Sequence, residues 1–117
     1  MEWAAEVAPN GVQTLFAHSY GGDIACRAAN SGRCINELVL LSTPVTGHVK
    51  SATRSGVRVI DVRLRFDPVL ALTARPQRIR HNPNISEVLL RRWRLDHAAT
   101  HEEQVWRDED IARRARL

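Results

Sequence analysis

The sequence predicts an α/β fold in one domain spanning residues 1–117, with about four mostly parallel strands flanked by helices. Three observations predict it. Short apolar, β-prone runs alternate with helical segments, the order that builds a parallel sheet covered by helices. The chain has 117 residues, enough for one small domain with a real core. Hydrophobic residues make up 44% of it and charged residues 26%, an ordinary globular balance that argues against disorder.

The elements follow in order. Residues 2–7 read as the tail of a helix, and Pro9-Asn10-Gly11 as a turn. Residues 12–17 (Val-Gln-Thr-Leu-Phe-Ala) form a short β-prone run, read as a buried strand. Ser19-Tyr20-Gly21-Gly22 is a sharp turn. Residues 23–30 are helical, with Ile24, Ala25, Ala28 and Ala29 on or near one face, and Ser31-Gly32 ends that helix. Residues 38–41 (Leu-Val-Leu-Leu) are a second strand, closed by Ser42-Thr43-Pro44. Residues 46–56 fit either a helix or a loop. Residues 57–62 are a third strand, whose apolar residues are β-branched. Asp67-Pro68 opens a new segment, because the residue before a proline avoids helical geometry. Residues 85–95 contain a fourth strand. Residues 102–117 read as one terminal helix, with Val105, Ala112 and Ala115 near one face.

Composition excludes several classes. No apolar run approaches the roughly 18–20 residues of a membrane span, and no basic start with a long apolar stretch marks a signal peptide. Cys26 and Cys34 have no metal-ligand spacing and are too few for a disulfide framework, so they read as reduced thiols of a cytoplasmic protein. Lysine and arginine number 17 against 13 acids, a net charge of +4. The excess is mostly arginine and is spread out: Arg91, Arg92 and Arg94 around Trp93, and Arg113, Arg114 and Arg116 at the end. It reads as a solvated face with cations at a helix C-terminus. No nucleic-acid-binding motif accompanies it, and no dinucleotide or phosphate loop occurs.

The chemistry is concentrated in Ala17-His18-Ser19-Tyr20-Gly21-Gly22, which follows a strand and opens a helix. That is the setting of a nucleophile elbow, G-x-S-x-G, whose turn is too tight for bulky flanking residues. Ala17 stands for the first glycine and Gly21 keeps the second. The turn lifts the serine oxygen to the end of the sheet and aims the backbone N–H of Tyr20 at a developing oxyanion. Ser19 could instead simply cap the helix, as serine often does.

With these residues, 15–22 resemble the strand, elbow and helix of the α/β-hydrolase superfamily, in its serine esterase and lipase-like branch. The resemblance covers the chain from Val12 onward and corresponds to the C-terminal half of such an enzyme. It implies nucleophile, acid and base in chain order: Ser19, Asp67 beyond the third strand, and His97 between the fourth strand and the last helix. It implies acyl transfer to water on an ester or related bond of a small-molecule acyl substrate, with no cofactor and no metal. A serine hydroxyl needs a base to take its proton, a histidine near neutrality can do so, and a carboxylate fixes that histidine's tautomer.

Rival assignments have reasons of their own. Asp61 is an alternative acid, but it sits mid-strand. His101 is an alternative base or a solvated residue near the last helix. His97 and His101, four apart, have the spacing of two metal ligands, yet no third ligand accompanies them. His18 reads as part of the elbow, pointing away from the serine. Trp93 and Trp106 read as core or interface packing rather than a substrate platform.

A complete member of the superfamily runs to about 200–250 residues. The chain is therefore expected to be truncated, without the early strands or the loop that gives the second oxyanion donor. The strand 12–17 would then expose an apolar edge that invites a second copy or a complementing N-terminal half. The other reading is a catalytically weak or inactive hydrolase fragment serving as an interaction module or as half of a split enzyme.

Overall fold

A computed structural model of the chain describes residues 11–32, 34–73, 75, 79 and 84–117. The helix tail expected over 2–7 and the Pro9-Asn10 part of the first turn lie outside the described residues. The strands are β1 (Val12–His18), β2 (Ile35–Leu41), β3 (Arg58–Arg63) and β4 (Ile85–Leu89). They form one sheet in the order β1-β2-β3-β4, and every pairing is parallel. The helices are α1 (Tyr20–Asn30), α2 (Gly47–Ala52), α3 (Pro68–Ala71), α4 (Glu103–Asp108) and α5 (Ile111–Arg114), with a 3₁₀ turn over Ala99–His101. The small α/β fold expected from the alternation is therefore present.

The central strands are rich in Leu, Ile and Val because both faces of the sheet are covered. Leu38, Leu40 and Val59 point to one face, where Ala25, Cys26, Ala28 and Ala29 of α1 and Val49 and Ala52 of α2 pack on them. The small side chains of α1 let the helix lie close to the strands. Val39, Leu41, Ile60, Val62 and Val88 point to the other face, against Ala99, Val105, Ile111 and Ala115. Each fully buried Leu, Ile or Val contributes about 1.5–3 kcal/mol, so the inner strands β2 and β3 anchor the fold. β1, in contrast, pairs only with β2 among the described residues, and its Phe16 is exposed.

Local differences from the sequence reading have physical causes. The segment 46–56 contains a helix, α2, whose start is capped by Thr46 Oγ1 accepting from Val49 N–H. Helix α1 begins at Tyr20, directly after the turn, which places Cys26 inside and Ile24 outside. The terminal helix is two helices. Asp110 sits in the left-handed region (φ 52°, ψ 44°) and breaks it, a conformation aspartate tolerates better than most residues. The break brings Ile111 rather than Ala112 inward. The preceding Glu109 is buried and accepts the backbone N–H groups of Arg91 at 2.8 Å and Arg92 at 2.9 Å. Arginines that read as a solvated face thus have main chain tied to the C-terminal segment. Trp93 is exposed, whereas Trp106 packs beside Phe16 with ring centroids 6.0 Å apart.

Asp61 and Arg63 lie on one face of β3 and form a buried pair. Arg63 Nε donates to Asp61 Oδ2 at 2.7 Å and Nη2 to Oδ1 at 2.6 Å. Nη2 also donates to the carbonyl of Thr43 at 3.0 Å, fixing the segment that leaves β2. Among the described residues no helix is long and apolar enough to cross a membrane.

Candidate active site

In a parallel sheet every strand ends at the same edge, and the connections leaving that edge lie near one another. Ser19 follows β1, Asp67 follows β3, and His97 lies in the connection after β4. Topology alone therefore brings the three predicted residues to one rim.

The turn after β1 is strained. Ser19 has φ 55° and ψ −129°, a positive φ that side-chain-bearing residues rarely adopt. Its backbone N–H donates to the carbonyl of Leu41 at 2.8 Å, and its own carbonyl accepts from Gly22 N–H at 3.0 Å. The sheet on one side and the new helix on the other hold the strain in place. Ser19 makes no side-chain cap bond to α1, so its hydroxyl is not used up as a helix cap.

The small residue on which the turn depends is Gly22, not Gly21. A Cβ at Gly21 would meet nothing within 4 Å among the described residues. A Cβ at Gly22 would overlap Thr43 Oγ1, with Thr43 Cγ2 at 2.5 Å and Cβ at 2.8 Å. Thr43 is fully buried and its carbonyl is held by Arg63. The Asp61–Arg63 pair, Thr43 and Gly22 thus fix how closely α1 approaches the end of β2.

Asp67 divides its two oxygens between two tasks. Oδ1 accepts from the backbone N–H groups of Val69 at 3.0 Å and Leu70 at 3.2 Å, capping α3. Oδ2 lies 2.6 Å from His97 Nδ1. The residue is 1% exposed, so this carboxylate meets the histidine in a place from which water is excluded. Proline at the first position of α3 suits the cap, since its missing N–H would have no helical partner there.

His97 completes the chain. Its Nε2 lies 2.8 Å from Ser19 Oγ. An ionised carboxylate only accepts, so Nδ1 carries the proton given to Asp67 and Nε2 presents a lone pair to the serine hydroxyl. Asp61 is engaged by Arg63 on the face of the sheet, and His101 lies in the 3₁₀ turn with its ring against His18. The geometry thus brings together Ser19, Asp67 and His97 and leaves both rivals aside. Tyr20 is the first residue of α1, where an N–H has no acceptor inside the helix.

His18 is a residue whose part the sequence reading missed. It is not bonded to the serine, but its Nε2 lies 3.0 Å from the backbone oxygen of His97, and its ring packs against His97 (centroids 4.9 Å apart) and edge-on against His101 (4.4 Å). Strand alternation could have shown that His18 shares a face with Phe16 and not with Ala17. It could not have shown the partner, which is 79 residues away. Burial holds the His18 pKa below the ordinary imidazole value. The bond to His97 and the charge of Asp67 push it up, while His101 and His97 push it down.

Among the described residues, no group of three His, Cys, Asp or Glu side chains is arranged to hold a metal ion. A cavity opens beside β1, lined by Phe16, Leu41, His101, Glu103 and Trp106. Comparisons of the chain with protein-family models, with curated proteins and with solved structures find no match.

Proposed function

We propose that this chain is a serine hydrolase that transfers an acyl group from an ester or related bond to water, and that it is related to the α/β-hydrolases. The observation that carries the proposal is the continuous hydrogen-bonded chain from Ser19 Oγ through His97 to Asp67. Its place supports the reading, because parallel sheets keep their chemistry at the carboxyl ends of the strands. So does the positive φ of Ser19, the strain expected of a nucleophile elbow.

The reaction follows from proton inventory. His97 Nε2 takes the hydroxyl proton as Ser19 Oγ attacks the acyl carbon. The imidazolium is held by Asp67, and the oxyanion forms toward the N–H of Tyr20. The leaving alcohol departs with the proton from His97, leaving an acyl-serine. Water, deprotonated by the same histidine, releases the acid and restores Ser19. Tyr20, Phe66, Val69, Leu72, Trp93 and Leu95 are exposed large hydrophobic residues on the segments that carry Ser19, Asp67 and His97. Two free thiols, one of them exposed, are compatible with a cytoplasmic setting.

The test is hydrolysis of a short-chain aryl ester by the wild type, S19A, H97A and the double variant. Residues that act as one unit lose about as much singly as together. Each single variant is expected to fall by several orders of magnitude, with no further loss in the double. Additive losses, or a wild-type rate no higher than that of S19A, would remove the proposal.

A second reading has its own observation. Among the described residues strand β1 lies at the sheet edge, and Phe16 on it is exposed, a surface suited to accepting another strand. On that reading the chain is an interaction module or half of a split enzyme. It predicts a partner-dependent rate, or a folded chain with no rate at all.

A further inference from the structure

A base is effective only while its ring stays within hydrogen-bond reach of the nucleophile. His97 belongs to no helix or strand. It lies in the connection between β4 and the 3₁₀ turn, next to the exposed residues Leu95 and Asp96. Among the described residues, the backbone of 93–97 makes one hydrogen bond to the sheet, and it is the bond from His18 to the His97 carbonyl.

We infer that His18 is the positioning residue for the base, a donor on the elbow's own strand that ties the His97 main chain to the nucleophile. The inference rests on the proposed role of Ser19 and His97. A carbonyl oxygen only accepts, so His18 Nε2 must carry a proton and donate it. The donor is separated by a single peptide bond from Ser19, which takes the ring of the same His97 at 2.8 Å. Serine and base are thereby referred to one strand end. A shift of that end moves both together and leaves their separation unchanged.

The neighbours of His18 fit this role. Its ring is flanked by His97 on one side and by His101 edge-on, and Asp67 is the acidic group whose charge reaches it. His101 is in turn placed by the 3₁₀ turn. The carbonyl of Thr100 in that turn accepts from Trp106 Nε1 at 2.7 Å, and its hydroxyl lies 2.8 Å from Ser42 Oγ. A neutral His18 donates the bond without placing a second positive charge beside the imidazolium that forms on His97, and its lowered pKa keeps it neutral.

The test compares H18F, which keeps a ring without the donor, with H18Q, whose amide nitrogen reaches about as far as Nε2. If H18F does not fold, H18N, polar but too short to reach, replaces it. The first readout is the His97 imidazole N–H bonded to Asp67, followed by ¹H–¹⁵N NMR. It is expected as a protected resonance in the wild type and H18Q, and lost or broadened in H18F at unchanged far-UV circular dichroism. The second is ester hydrolysis. A displacement of about 1 Å costs on the order of 100-fold, so H18F should lose about that in kcat with KM little changed, and H18Q should recover most of it. A resonance that persists in H18F, or that is missing from the wild type, overturns the inference. A lost resonance with no hydrolysis even in the wild type upholds the anchor and refutes the proposed activity instead.

Discussion

Gly22→Ala tests the packing that sets the elbow, and Gly21→Ala is its internal control. The two glycines are adjacent in the first turn of one helix, so propensity treats them alike. A helix gains up to about 1 kcal/mol when glycine becomes alanine. The surroundings differ. At Gly22 the new methyl would sit 2.5 Å from Thr43 Cγ2 and 2.8 Å from Thr43 Cβ. Carbon atoms in contact prefer roughly 3.5–4.0 Å, so Thr43 or α1 must move by about 1 Å. Thr43 has nowhere to go, being buried and held through its carbonyl by the Arg63–Asp61 pair. Overpacking of this kind costs about 1–3 kcal/mol, occasionally more. Net of propensity, Gly22→Ala should lose about 1–2 kcal/mol. Gly21→Ala, with nothing within 4 Å of the new methyl among the described residues, should gain about 0.4–1 kcal/mol. For a chain of this size the gap corresponds to roughly 5–15 °C in melting temperature. Thermal melts by far-UV circular dichroism and urea titrations by tryptophan fluorescence both read it. A Gly22→Ala protein as stable as Gly21→Ala would refute the claim that Thr43 limits the approach of α1.

Other perturbations separate roles within the site and the fold. Asp67→Asn keeps the size of the side chain but presents an amide to His97; kcat for ester hydrolysis should fall by about 10⁴ if the carboxylate sets the histidine tautomer, and a fall under tenfold would contradict that role. Glu109 has its pKa lowered: burial pushes it up, but the backbone N–H groups of Arg92 and Arg91 and the charges of Arg114 and Arg91 outweigh it. Its contribution to stability is therefore present above the ordinary carboxylate pKa of about 4.3 and lost as pH falls through the folded value. Glu109→Gln should cost about 1–3 kcal/mol near neutral pH, the deficit shrinking in acid; a deficit that does not change with pH would count against it. Burial pushes the Cys26 thiol up to about 12, with Asp23 and Asp61 adding to the rise, whereas Cys34 is exposed. Iodoacetamide should modify Cys34 in the native protein and reach Cys26 only after unfolding, as peptide mass mapping would show.

Much of this site could be read from the sequence because parallel topology does the assembling. Once residues 12–17, 38–41 and 57–62 are taken as parallel strands, whatever follows them shares a rim, and Ser19 and Asp67 meet there without any long-range packing being known. What stayed hidden depends on contacts between distant segments. The pattern credits Gly21 with the tight turn. The crowding is at Gly22, and it comes from Thr43, which no local pattern reveals. The single helix over 102–117 fails at Asp110, with no glycine or proline to mark the break. The burial of Glu109 against the main chain of Arg91 and Arg92 accompanies that break. His18 showed only its face of the strand, and its bond to His97 exists only once the fold has closed.

In the proposed reaction Ser19 is made nucleophilic by His97. Labelling with a fluorophosphonate probe followed by peptide mass mapping reads this out, because the adduct records which oxygen attacked. One adduct is expected, on Ser19, forming at a rate that collapses in H97A. A folded protein that gains no adduct, or whose Ser19 adduct forms equally fast in H97A, would contradict it.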